Sequence, residues 1–205
     1  MQAQQFALPI PPGEYAAYLF DLDGTVADSM PLHYVAWSQA ITKHGGTFPQ
    51  HLFYEWAGIP THRTVEMLNE RFGYTMSPND VVEFKEGLYY DMLPQLQPVA
   101  SVLEHITAMA GKVPFAIVSG SPRLSIFKTL ETLGMLHLFP VIVGAEDYTR
   151  GKPHPEPFLK AASLLGVDPA RCLVFEDGEQ GIRSATAAGM TCVRVPLPTP
   201  DAALA

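Results

Sequence analysis

Cysteine is scarce in this sequence. Cys172 and Cys192 are the only two in 205 residues, too few for a disulfide framework and without the spacing of a CxxC metal pair. Long apolar runs are absent too: Val113–Val118 is among the longest, far below the roughly 18 residues that a spanning helix needs. Positive charge is in deficit, with 13 Lys and Arg against 21 Asp and Glu, a net of −8. That balance excludes the basic stripe of a nucleic-acid binder and the polybasic patch of a protein held on an anionic membrane. No GxGxxG follows the first apolar strand pattern, which argues against a dinucleotide-binding oxidoreductase. The opening MQAQQFALPIPPGEY has neither a positive n-region nor a long apolar h-region, so no secretion signal is expected and a cytoplasmic location is the default. No extra association element stands out, and a monomer is expected.

What is present is a core. Hydrophobic residues make up 47% of the chain, which excludes wholesale disorder. The length fits one domain, or one domain carrying an insert.

Along the chain, short apolar runs alternate with helical periodicity. Strands are expected at Tyr15–Asp21, Pro114–Ser119, Pro140–Gly144, Cys172–Phe175 and Thr191–Val195. Helices are expected at Arg123–Leu133, Pro155–Leu165 and Ile182–Ala188, two of them stopping at Gly134 and Gly166. This alternation predicts an α/β fold with a parallel sheet covered on both faces. Residues 29–93 break the rhythm with helical periodicity alone, as in Leu32, Val35, Ala36 and Val81, Phe84, Leu88. A block that long between two strands predicts an inserted all-helical domain, with 1–28 and 94–205 forming the core. The Pro-rich stretches at 9–13 and 196–205 read as a loose lead-in and exit.

In an open parallel sheet, ligands bind beyond the carboxyl ends of the strands. The residues at those ends are Asp21-Leu22-Asp23-Gly24-Thr25, Ser119-Gly120-Ser121, Gly151-Lys152-Pro153 and Glu176-Asp177-Gly178. Four carboxylates gathered at one edge cannot all stay ionised without a cation among them. An oxygen-rich set with few dedicated ligands suits Mg²⁺, which keeps waters and shares phosphate oxygens. Lys152 adds positive charge suited to a dianionic phosphate, and small residues at Ser119 and Gly120 let backbone N–H groups approach it.

Together FDLDGTVADS, VSGS, GKPHPEPF and FEDGEQGIRSATAAGM resemble the four motifs of the haloacid dehalogenase-like phosphatase superfamily. They are most similar to the branch that contains beta-phosphoglucomutase, phosphoglycolate phosphatase and fructose-1-phosphatase. The resemblance runs from about Tyr15 to Val195 and implies a Rossmann-like core with a helical cap inserted after the first motif. It implies that Asp21 is the nucleophile, taking the phosphoryl group as an aspartyl-phosphate. Asp23 takes the place of the general acid and base, its backbone carbonyl binding Mg²⁺ beside Asp21 and Asp177, with Glu176 a further ligand in the mutase-like branch. Ser119 and the Gly120 amide correspond to the phosphate-oxygen binders, and Lys152 to the residue that steadies nucleophile and phosphate. Dehalogenases of the superfamily lack the second aspartate, so Asp21 and Asp23 together point to phosphoryl transfer.

The cap is expected to select the substrate. His33 resembles a histidine that reaches back toward the acid/base, and Lys85 matches a cap lysine of the branch. Gly58–Arg63 (GIPTHR) resembles the specificity loop, with Arg63 as the candidate arginine and Thr61 as the other occupant of that place. Trp37 and Trp56 sit at helical spacing and read as core, as do the two cysteines in their strands. The implied activity is a Mg²⁺-dependent phosphatase acting on a small phosphorylated metabolite, with sugar phosphates favoured. The alternative is a beta-phosphoglucomutase, which would need positive charge in the cap for a distal phosphate.

Overall fold

A computed structural model describes residues 7–196. Six leading residues, and all of the Pro-rich exit except Pro196, lie outside the described residues. Five strands form one sheet: β1 (Ala17–Phe20), β2 (Phe115–Val118), β3 (Val141–Val143), β4 (Cys172–Glu176) and β5 (Thr191–Arg194). Their order is β3-β2-β1-β4-β5 and every pairing is parallel. All five fall within, or one residue beyond, the stretches expected from sequence. This is a Rossmann-like core, with β1 at its centre.

Between β1 and β2 lie α1 (Met30–Lys43), α2 (Gln50–Glu55), α3 (Thr61–Phe72), α4 (Pro78–Met92) and α5 (Ala100–Met109). The first four are the expected helical insert, and α5 is a core helix that the periodicity reading missed. Then come α6 (Arg123–Thr132), α7 (Glu156–Leu165) and α8 (Glu179–Ala187). Glycine stops α3 and α7: Gly73 and Gly166 adopt φ of 72° and 68°, where a side chain would be strained.

Alternation along the strands builds two different faces. One carries large side chains, Tyr18 and Phe20 of β1, Phe115 and Ile117 of β2, and Phe175 of β4, under Val102 and Ile106 of α5 and Ile126 and Leu130 of α6. Phe20 and Phe175 stack at 4.9 Å between ring centres. The other face carries Ala17, Leu19, Ala116 and Val174, beneath Phe158, Ala161 and Ala162 of α7 and Ala185 of α8. Small residues there let the helices approach closely. Cys172 is buried on this face and Cys192 half-buried beside it; burial pushes their thiols up to about 11 and about 12.

The insert has its own core of Trp37, Ile41, Phe48, Leu52, Phe53, Trp56, Val65, Leu68 and Val81. Its ends nearest the sheet do not belong to that core. Ala36 of α1, Tyr89 of α4 and the following Leu93 pack with the aromatic face of the sheet. The two linkers are tied to each other, since Asp28 N–H donates to Gln97 O and Val99 N–H to Val26 O, at 2.9 and 3.0 Å.

Phe115 lies at the end of β2 remote from the strands' carboxyl edge, 2% exposed, with its ring 5.4 Å from Phe20 and 6.0 Å from Phe139. Phe115→Ala is expected to cost about 3–5 kcal/mol through lost burial and an uncollapsed cavity. Urea unfolding followed by circular dichroism measures it; a loss below about 1 kcal/mol would mean that this face repacks freely.

Candidate active site

The site begins where β1 stops. After Phe20 the backbone turns sharply: Thr25, Val26 and Ala27 all donate their N–H groups to Leu22 O, and Gly24 donates to Ala27 O. Gly24 has φ of 92°, and a Cβ there would lie 2.5 Å from Asp177 Oδ2. The turn therefore requires glycine twice over, for its conformation and for the carboxylate pressed against it. It leaves Asp21 buried at the sheet edge and brings Thr25 Oγ1 to donate to Asp177 Oδ1 at 2.8 Å.

Asp21, Glu176 and Asp177 each offer a carboxylate oxygen within 4.8 Å of the others. Lys152, 4% exposed, donates from Nζ to Asp21 Oδ1 at 2.6 Å and to Glu176 Oε2 at 2.9 Å. Burial alone would lower the Lys152 ammonium; the two carboxylates outweigh it and hold it well above its ordinary value. One ammonium does not compensate three buried carboxylates. Burial accordingly raises all three, helped by repulsion from Asp23 at Asp21 and from Asp21 at Glu176 and Asp177, which is pushed up to about 7. Asp177 Oδ2 is buried without a hydrogen-bond partner among the described residues. A crowded all-oxygen donor set with an unpartnered oxygen fits a hard divalent cation. Helix α8 packs directly on this cluster, since a Cβ at Gly181 would fall 2.1 Å from Glu176 Cδ.

Asp23 faces a different set of partners. Its carboxylate accepts from Ser29 Oγ at 2.7 Å, His33 Nε2 at 2.9 Å and Ser121 Oγ at 2.8 Å, with Ser119 Oγ at 3.5 Å. Burial alone would raise this carboxyl; the charge and hydrogen bond of His33, with the two serines, overcome it and hold Asp23 well below the usual carboxylate range. An ionised carboxylate only accepts, so His33 Nε2 carries the hydrogen. The His33 ring stacks on Tyr89 at 3.9 Å, and Tyr89 Oη meets Thr129 Oγ1 of α6 at 2.8 Å.

Ser119 and Gly120 follow β2, as expected. Ser121 N–H donates to Ser119 Oγ at 3.0 Å, and Tyr148 Oη donates to Ser119 O at 3.2 Å. A Cβ on Gly120 would meet Gly58 O at 2.7 Å, so the core loop and the loop before α3 touch backbone to backbone. The cleft between them is lined from the sheet edge by Asp21, Asp23, Ser119, Gly120, Glu176 and Asp177, and from the insert by His33, Trp37, Trp56, Thr61, Thr64 and Lys85 among others.

Eight of the expected polar side chains thus gather at this edge, together with the Gly120 backbone. Arg63 does not. It lies on the outer face of α3, its side chain 48% exposed, bonded to Glu66 at 3.0 Å and to Glu70 at 2.9 Å. The start of α3 turns Thr61 and Thr64 into the cleft instead, and the two-position step from Thr61 to Arg63, about 200° around the helix, puts the arginine outside. Trp37 and Trp56, read as core, both pack in the insert core and line the cleft. Ser29, Tyr89 and Glu86 received no role from sequence. Ser29 lies in the quoted first motif, whereas nothing in a lone Tyr or Glu on a helix marks them.

The chain matches the model of the haloacid dehalogenase-like hydrolase family over residues 18–195. It is 33% identical to the fructose-1-phosphate phosphatase of Escherichia coli K12 over 184 residues, 89% of this chain and 97% of that protein. It is 31% identical to the validoxylamine A 7'-phosphate phosphatase of Streptomyces hygroscopicus subsp. limoneus over 87% of this chain and 84% of that one. Among solved structures, the beta-phosphoglucomutase of Clostridium difficile superposes with a TM-score of 0.77 at 26% identity, covering 87% of this chain and 83% of that one. No helix among the described residues is long and apolar enough to cross a membrane. With the family model spanning nearly the whole chain and the motif residues gathered at one sheet edge, the chain belongs to the haloacid dehalogenase-like hydrolases.

Proposed function

We propose that this chain is a Mg²⁺-dependent phosphatase that hydrolyses a small phosphorylated carbohydrate through an aspartyl-phosphate on Asp21. The observation that carries the reading is the division of labour between two buried aspartates two residues apart. Asp21 shares the Lys152 ammonium and faces the Glu176–Asp177 pair, whereas Asp23 is held by His33, Ser29 and Ser121. The phosphatase relatives support the substrate class.

In the first half-reaction an Asp21 oxygen attacks phosphorus and the ester P–O bond breaks. The departing oxygen takes a proton delivered through the Asp23 carboxyl, which His33, Ser29 and Ser121 orient toward it. Ser119 Oγ and the Gly120 N–H hold non-bridging oxygens, and Lys152 offsets their charge. In the second half, Asp23 accepts a proton from water as the water oxygen attacks phosphorus. The acyl-phosphate bond breaks and Asp21 returns as carboxylate. Mg²⁺ held by Asp21, Asp177 and the Asp23 carbonyl, with Glu176 beside them, would supply charge neutralisation for the dianionic phosphate.

The insert is proposed to act as a cap over residues 29–93, moving about the tied linkers to exclude water and reopening for product. Hydrolysis is preferred over a mutase because Arg63, the arginine that would meet a distal phosphate, is turned to solvent and paired with Glu66 and Glu70.

Phosphate release from a panel of sugar and polyol monophosphates with Mg²⁺ tests the reading. Turnover should concentrate on a few of them, and Asp21→Asn should lower kcat by at least ~10³-fold with the fold retained. Appreciable turnover by that variant would remove Asp21 as nucleophile. Isomerisation of a sugar phosphate with little release would assign a mutase.

The metal site has a readout apart from activity. Asp177 titrates near 7 in the metal-free protein, against about 4 in an unfolded chain. Between those values the folded state binds more protons than the unfolded one, so metal-free stability should fall as pH rises from about 4 to about 7. Mg²⁺ added near pH 7 should release protons into weakly buffered solution and raise Tm, and the release should shrink at higher pH. No proton release and no Tm shift at millimolar Mg²⁺ would sink the assignment.

A further inference from the structure

The insert side of the cleft is walled mainly by apolar residues, Trp37, Phe48, Phe53, Trp56 and Ile59 among them, with Thr61 and Thr64 as neutral polar groups and His33 committed to Asp23. Lys85 is the single lysine or arginine among the described residues lining that side. It is not a free cation. Its Nζ donates to Glu86 Oε1 at 2.8 Å, and it lies 5.6 Å from the Trp37 ring and 5.3 Å from the Tyr89 ring. Glu86 does not line the cleft; it stands behind Lys85, 8% exposed, and its Oε2 accepts from Ser125 Oγ of α6 at 2.5 Å. Burial alone would raise the Glu86 carboxyl, but Lys85 and the Ser125 hydroxyl overcome it and keep it below its ordinary value. The pair is therefore ionised, and its net charge is zero.

We infer that Glu86 determines the charge of the substrate's far end: by neutralising Lys85 it makes the insert wall accept an uncharged, hydroxyl-bearing end and disfavour a second phosphate. The inference rests on the phosphatase reading for the phosphate at Asp21. One of the three Lys85 N–H donors goes to Glu86, and the others serve hydroxyl oxygens without requiring a countercharge. An anionic group brought to Lys85 would meet the field of Glu86 as well. It would lose its hydration and gain little attraction in return. Trp37 and Trp56 line the same wall and supply apolar surface for the C–H groups of a carbohydrate chain. The substrate class is then a monophosphate of a neutral polyol or sugar.

A charge series tests this, with kcat/KM measured for a hexose 1-phosphate and the matching 1,6-bisphosphate. Wild type and the double variant K85M/E86Q leave the subsite neutral, Glu86→Gln leaves it positive and Lys85→Met leaves it negative. Wild type should favour the monophosphate. Glu86→Gln should shift the ratio toward the bisphosphate by at least about tenfold, a modest part of what one charge contributes at ~4 Å in a partly buried site. Lys85→Met should shift it the other way, and the double variant should return close to the wild-type ratio. A purely structural pair would slow both substrates together and leave the ratio fixed across the series, which overturns the inference, as does any order that does not follow charge. Should Glu86→Gln fail to fold, Lys85→Met and the double variant still fix the order. Should wild type turn over neither ester nor p-nitrophenyl phosphate, the phosphatase reading fails on its own. The affinities of the two esters, measured by calorimetry across the same variants, then decide the charge order.

Discussion

The Lys152 ammonium, shared between Asp21 and Glu176, is the contact on which the rest of the sheet edge depends. Three carboxylates within 4.8 Å would repel one another in a buried setting, and desolvating each costs several kcal/mol before any pairing. Lys152 offsets part of that cost and leaves the remainder as affinity for protons or a cation. The residues involved are 24 and 131 positions apart in sequence. The parallel packing of β4 beside central β1 brings Asp21 and Glu176 level, the loop between β3 and α7 delivers Lys152 between them, and the two apolar faces of the sheet hold the strand register. The ionic cluster is an expense borne by the aromatic core beneath it. Gly24 and Gly181 are the places where the backbone yields space to the carboxylates.

Asp23 is where insert and core meet chemically. Two of its partners, Ser29 and His33, come from the start of the insert, and a third, Ser121, from the loop after β2. The His33 ring is backed by Tyr89, which is itself bonded to Thr129 of α6, and Glu86 is bonded to Ser125 one turn away. The insert is thus seated on α6 by side-chain hydrogen bonds near its linkers, while at its tip Gly58 O touches Gly120. Rotation of the insert would change the hydrogen bonding of Asp23 first. In the proposed mechanism that couples water exclusion to the state of the acid and base without any further switch.

The sheet was legible because its strands are short apolar runs, two of them ending in carboxylates (Asp21 and Glu176) and two in small residues (Ser119 and Gly144). Asp21, Asp23, Glu176 and Asp177 were found for the same reason: each lies at or just past the end of such a run, whereas Lys152, nine residues beyond β3, was marked by its motif. Helix α5 was missed because its moderately apolar sequence, ASVLEHITAM, sits between a proline-rich linker and the stronger strand signal of β2. Arg63 misled because proximity in sequence is not proximity on a helix. Two residues past Thr61 the side chain has rotated about 200° and points to solvent. Glu86 and Tyr89 were illegible in principle, since what gives them meaning is the neighbour that tertiary packing supplies, Lys85 and Ser125 for one, His33 and Thr129 for the other.

That distribution of charge makes a coherent electrostatic design. At the sheet edge, acidic groups outnumber the one ammonium that serves them, which creates a demand for a cation exactly where a phosphate dianion would share it. On the insert, two cations are cancelled in place, Arg63 by Glu66 and Glu70 on the outer face and Lys85 by Glu86 behind the cleft. The attraction for a dianion is therefore concentrated at one end of a cleft whose other end is neutral and aromatic. A ligand with one charged and one uncharged end has a single favourable orientation there, phosphorus toward Asp21. Orientation by charge asymmetry requires no arginine in the insert, and adding unpaired positive charge to that wall would make the two ends of the cleft compete for the phosphate.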